Sequence, residues 1–259
     1  MSNVHALELS SVRDRVSEEE WQMRVDLAAC YRLVAHYGWD DLLFTHNSAR
    51  IPDTDHHFLI NPFGLKFEEI TASSLIKIDC DGNKLMESPF GYIKAGFTIH
   101  SAIHMNRDDA VCVMHTHTME GMAVSAQKQG LLMLNQKSLC FYNRVAYHAF
   151  EGIADDLDER DRLAADLGDM NAMILTNHGL MTVGESVAHA FILHKRLNDS
   201  CELQLKAQAG GAELTFPSPE VCEHTAKQFA ESYSSGGNAA VQWEALKRML
   251  DKIDPGYAE

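Results

Sequence analysis

Val111-Cys112-Val113-Met114-His115-Thr116-His117 is an apolar run that closes on two histidines one residue apart. It reads as a buried strand. Successive side chains on a strand point to opposite faces, so His115 and His117 share one face and Cys112 takes the other, as a packing residue. A second apolar run, Met173-Ile174-Leu175-Thr176-Asn177-His178-Gly179-Leu180-Met181, breaks at a turn that carries a third histidine, His178. Three imidazoles brought together from two such segments would hold a divalent metal and leave coordination positions open, as catalytic zinc sites do.

Working outward, residues 1–16 lack periodicity and are expected to form a loose arm. Ser17-Glu18-Glu19-Glu20 has the form of a capping box. Behind it Trp21, Val25, Ala28, Tyr31, Val34 and Tyr37 recur at helical spacing up to Gly38. Between 42 and 80, short strand-like pieces (Leu42 to Phe44, Phe58 to Ile60, Leu75 to Ile78) alternate with Asn-Pro, Asp-Gly and Gly punctuation. A helix is expected over 91–107, and a short one over 119–129 after the histidine strand. Leu131 to Tyr142 and Val145 to His148 read as further strands, 159–167 as a helix, and 185–209 as a long helix. Ser218-Pro219 opens another helix, with Ser as cap and Pro in the first turn, and the last lies near 241–252. Without internal repeats, and with Gly-Gly linkers only near the C-terminus, the chain reads as an arm (1–16), one α/β domain (17–210) and a helical tail (211–259).

The 259 residues can bury a substantial core. Apolar residues make up 46% and charged residues 23%, with no run long enough for a membrane helix. The first residues offer no export signal, so the cytoplasm is the default compartment. Six scattered cysteines then read as free thiols. A net charge of −15 argues against nucleic acid or an anionic membrane as partner, but not against a small anionic substrate. Among other histidines, His100 and His104 fall four apart on one helix face. Ser101 stands where a His-Glu-x-x-His motif needs glutamate, so this pair reads as packing or pocket lining. His56-His57, in an Asp-rich loop, reads as solvated surface.

Thr45-His46-Asn47-Ser48-Ala49-Arg50, Leu59-Ile60-Asn61-Pro62-Phe63-Gly64, His115-Thr116-His117 and Asn177-His178-Gly179-Leu180 occur in the order of the class II aldolase/adducin family, and Ala95-Gly96-Phe97-Thr98-Ile99-His100 also fits. The chain resembles that family over roughly residues 20–210. The resemblance implies a three-layer α/β/α sandwich around a largely antiparallel sheet. It implies a divalent metal on His115, His117 and His178, zinc first, with manganese or iron as alternatives. It also implies carbon–carbon lyase chemistry in cyclic homotetramers with sites at subunit interfaces.

The chain departs from the sugar-phosphate aldolases of that family at telling places. Their catalytic glutamate falls on Gly96, and two phosphate-holding serines fall on Lys94 and Ala95. The phosphate-loop asparagine falls on His46, the threonine before Pro-x-Gly on Asn61, and a tyrosine proton donor on Gln136. Glycine transfers no proton, so another group must. Candidates are Glu120, His148 and Glu151; Glu120 reads equally well as a first-turn helix acid, and the other two as parts of a structural turn. His46 and Lys94 are candidates to meet a substrate carboxylate or phosphate, Lys94 reading equally as a solvated helix residue. Asn61 and Gln136 complete the candidate substrate positions. The leading function is a metal-dependent lyase on a small oxygenated acid or sugar-derived compound. The alternatives are a non-catalytic adducin-like scaffold, or an epimerase or oxygenase on the same histidines.

Overall fold

Both histidine-bearing runs lie at the centre of one seven-stranded sheet. In the computed structural model, which describes residues 10–54, 56–152, 158–233 and 237–259, the first run is β4 (Cys112–Thr116) and the second ends in β7 (Gly179–Gly184). Around them lie β1 (His46–Arg50), β2 (Phe58–Ile60), β3 (Ile76–Ile78), β5 (Ala146–His148) and β6 (Ala172–Leu175). The strand order is β3-β2-β1-β4-β7-β6-β5. Neighbours are antiparallel except β5 and β6, which run parallel.

The strand parity read from β4 assigns the two faces. Cys112 and Met114 enter a core built with α1 (Glu18–His36), α5 (Val187–Gln208) and α7 (Gly237–Ile253). Val113 enters the opposite core, with Ile99, Ala102 and Ile103 of α2 (Lys94–Asn106) and Leu163 of α4 (Glu159–Leu167). Helices on both faces of a mostly antiparallel sheet form the three-layer sandwich. The 211–259 segment is α6 (Pro219–Tyr233) and α7; Trp243, Leu250 and Tyr257 join the same core as α1. Of the expected arm, residues 1–9 lie outside the described residues, and Val12 is buried.

A buried polar group needs a partner, and His194 of α5 shows how this core supplies one. Its Nδ1 lies 3.0 Å from Thr182 Oγ1, and its Nε2 lies 2.7 Å from Thr116 Oγ1. Thr182 donates to the Ala190 carbonyl, so it accepts from His194 Nδ1–H, and Thr116 then donates to Nε2. Both nitrogens are satisfied in the neutral ring, and burial drives the pKa down to about 3.

Several local expectations are corrected. Ser17 caps α1 by accepting from Glu20 N, but the Glu20 carboxylate does not complete the box; it pairs with Arg24 and Lys77 instead. Leu42 to Phe44 is a turn, with Leu42 at φ 54° and Asp41 bridged to Phe44, and the strand begins later, at His46. The helix expected to reach 129 is α3 (Met119–Ser125). Leu131 to Tyr142 is not a strand, because side chains take the place of a ladder. Leu131 N donates to Tyr147 Oη, Leu132 N to Gln204 Oε1, and both Leu134 N and Asn135 N to Ser138 Oγ.

Candidate metal centre

The three histidines meet. One ligating nitrogen from each of His115, His117 and His178 lies within 4.8 Å of the others, and the ring centroids stand 4.7–4.9 Å apart. Local structure explains the convergence. His115 is the fourth residue of β4, and His117 follows the strand on the same parity. Asn177, at φ 56°, turns the chain between β6 and β7 and delivers His178; asparagine tolerates this left-handed conformation. Gly179 then lets β7 close on β4, since a Cβ there would lie 2.4 Å from the Thr116 carbonyl.

Two rings are oriented from behind. His115 Nδ1 lies 3.0 Å from the Leu180 carbonyl, which can only accept, so Nδ1 carries the proton and Nε2 presents its lone pair. His117 Nδ1 lies 3.0 Å from Asp41 Oδ2, the carboxylate–imidazole pairing that backs metal-binding histidines. The two Nε2 atoms are 3.0 Å apart. Burial, with the adjacent His178 and His117 rings, holds His115 well below the usual imidazole range. Burial, then His117 and His148, brings His178 down to about 4. Three imidazoles with converging ring nitrogens fit a divalent cation that prefers nitrogen ligands.

Beside this triad His46 lies opposite His115 in the β1–β4 register. A Cβ built on Gly96 would fall 2.5 Å from His46 Cγ and Nδ1, so the imidazole occupies the space into which a side chain at 96 would project. The ring is buried, its Nε2 has no hydrogen-bond partner, and burial followed by His117 lowers its pKa to about 3. It therefore offers a neutral donor or acceptor, not a positive charge. Behind it, Ser48 Oγ links His100 Nδ1 (2.6 Å) to His104 Nε2 (2.8 Å), and His104 Nδ1 meets the Ala110 carbonyl at 3.1 Å. The pair that reads as packing or pocket lining is buried, and forms a polar seam. His56 departs from the solvated reading: it is half-buried, with Nδ1 3.2 Å from the His104 carbonyl.

The remaining candidates divide. His148 lines a small crevice together with His178, and its ring nitrogens face Asp166 (2.7 Å) and Glu159 (3.3 Å). Glu120 stands in the first turn of α3 and acts electrostatically on Cys201 and Lys206 of α5. Glu151 is ion-paired with Arg162. Asn61 is buried and accepts from Tyr31 Oη at 2.9 Å. Lys94 is exposed at the start of α2, and Gln136 is exposed beside Lys195 and Asp199 of α5. Asp41 was absent from the sequence candidates; an acid 76 residues from its partner leaves no spacing signal.

Fold and donor set together define an α/β/α protein whose central strands end in a triad that could hold a metal ion. Residues 25–205 match the model of the class II aldolase and adducin N-terminal domain, and the chain belongs to that family. It is 52% identical over 261 residues to the "Putative aldolase class 2 protein" of Pseudomonas aeruginosa, covering 100% of each chain. An aldolase II superfamily protein from Pseudomonas syringae superposes with a TM-score of 0.92 at 52% identity, over 96% of this chain and 100% of that one. The L-fuculose 1-phosphate aldolase of Glaciozyma antarctica superposes with a TM-score of 0.82 at 28% identity, over 97% and 96%. Among the described residues no helix is long and apolar enough to cross a membrane.

Proposed function

We propose that this chain is a divalent-metal-dependent lyase that cleaves or decarboxylates a small oxygenated substrate beside a carbonyl. The observation that carries the reading is the convergence of the His115, His117 and His178 nitrogens, with Nδ1 of the first two tied from behind. A cation bound there, zinc or else manganese or iron, supplies Lewis-acid stabilisation of the negative charge such reactions leave on oxygen, worth several kcal/mol in general. The chain's own residues do the rest. Leu180 and Asp41 fix two ring orientations. His46, neutral and unpartnered at Nε2, gives the substrate a hydrogen-bonding group. His148, backed by two carboxylates, is the better candidate proton carrier, because it shares a crevice with His178.

The likeness to a protein named L-fuculose 1-phosphate aldolase supports carbon–carbon cleavage, while Gly96 and the neutral His46 weigh against copying a phosphate-binding mode. We further propose that the working unit is a homo-oligomer, a tetramer by family likeness. Exposed Leu42, Phe44, Phe63 and Phe150 lie on loops and exposed Met119 opens α3, and an apolar rim of this kind favours coverage by another copy. Such a neighbour is also what would bring Gln136 to a substrate.

The test combines metal analysis with a turnover screen of hydroxy-acids and aldol products, read as aldehyde or carbon dioxide release. Stoichiometric metal in the wild type, lost together with turnover in His115→Ala and His178→Ala, is expected. Folded wild-type protein that takes up no divalent metal would return the chain to the scaffold reading. Turnover that survives replacement of all three histidines would remove the mechanism.

A further inference from the structure

The far ends of β6 and β7 frame a cavity of about 430 Å³ that takes no part in the metal centre. Ala172, the first residue of β6, and Glu185, just past the end of β7, line it, whereas His178 joins the opposite ends of these strands. The volume falls within the range of small-molecule sites, roughly 300–1,000 Å³.

One face of α5 gives the cavity its chemical order. His189, Ile192 and Arg196 all line it. Seven residues at the helical rise separate the first from the last by roughly 10 Å. At one end the Arg196 guanidinium is stacked over Phe229 (4.3 Å) and Tyr233 (4.9 Å) and donates to Tyr233 Oη. Among the described residues its positive charge has no carboxylate in ion-pair reach. Arg144, the other cation of the cavity, is already bonded to Glu223. In the middle, Ile192, Phe141 and Phe229 form apolar walls. At the other end His189 Nδ1 is buried without a hydrogen-bond partner. Glu185, which also lines the cavity, acts electrostatically on His189 there.

We propose that this cavity is a second ligand site, for a small carboxylate with an apolar, ring-bearing body and a hydrogen-bond donor at its far end. The carboxylate pairs with Arg196, the body lies along Ile192 between Phe141 and Phe229, and the donor meets His189 Nδ1. A guanidinium without an ion pair among the described residues and an imidazole nitrogen without a partner there, at opposite ends of one apolar trough, select for that order of groups.

The experiment is titration of the full-length protein with 3-(4-hydroxyphenyl)propionate by calorimetry and by NMR, with 3-phenylpropionate as the analogue lacking the distal donor. Saturable binding is expected, tighter for the hydroxylated acid. Arg196→Gln weakens it about tenfold or more, the range for a charge-assisted contact. Ala230→Phe, placed on an exposed rim residue so that folding is preserved, blocks the mouth and abolishes binding. His115→Ala leaves it unchanged, so the outcome does not depend on the metal centre. Absence of saturable binding by wild type at roughly millimolar acid overturns the proposal. So does binding insensitive to both Arg196→Gln and Ala230→Phe, or binding lost only in His115→Ala.

Discussion

Replacing Gly96 with alanine tests whether His46 and Gly96 form one reciprocal unit. Gly96 is the third residue of α2, and a Cβ there meets His46 Cγ and Nδ1 at 2.5 Å and Cδ2 at 2.6 Å. The ring cannot retreat cheaply, because its strand is paired to β4 residue by residue and His100 stands behind it at 6.1 Å. Forcing a methyl group into such a space costs about 1–3 kcal/mol. Alanine's helix propensity over glycine returns about 1 kcal/mol. Gly96→Ala in the wild type is therefore expected to destabilise by up to about 2 kcal/mol. In a His46→Ala background the clash is gone and only the propensity gain remains, so the same substitution stabilises by up to about 1 kcal/mol. The sign change is the diagnostic. Urea unfolding of the four chains of this cycle, stripped of metal to exclude binding linkage, gives the coupling directly. Effects that add within about 0.5 kcal/mol would refute the reciprocal packing.

Asp41→Asn, measured by competition with a metal-binding dye, is expected to weaken metal affinity about 10- to 100-fold without unfolding the chain. Arg24 is buried against Glu20, which also holds Lys77, so Arg24→Ala leaves a carboxylate with half its support and is expected to cost about 3–5 kcal/mol in urea unfolding. Acid should destabilise the fold through its neutral histidines. His46, His104 and His194 are each held near pKa 3, so below pH 6.5 the unfolded chain binds protons that the folded chain refuses. Stability is then full above that pH and lost as pH falls toward 3. At pH 5.5 each contributes a loss of about 1.4 kcal/mol, visible as a lower urea midpoint; a midpoint unchanged between pH 7.5 and 5.5 would contradict the neutral assignments.

Sequence periodicity located much of the fold because the relevant forces are local. The strand parity of β4 correctly split Cys112 from His115, and α4 and the core of α2 followed from apolar spacing and glycine stops. The misreadings share one cause. Leu131 to Tyr142 has the apolar content of a strand, but distant side chains on α5 and β5 satisfy its backbone. Leu42 to Phe44 has the apolar content of a strand, while the actual strand, His46–Arg50, is polar at four of its five positions and carries little hydrophobic signal.

Side-chain parity and turn chemistry act within a few residues, so the amino-acid order by itself assigned the three imidazoles to two segments, while the family and its sandwich followed from the resemblance of the ordered motifs. Only the folded chain decided how those imidazoles are oriented and what surrounds them. Asp41 behind His117, the His46 ring over Gly96 and the Ser48 bridge between His100 and His104 join residues from separate elements. Contacts of this kind depend on how helices seat against the sheet, and no spacing along the chain encodes that seating.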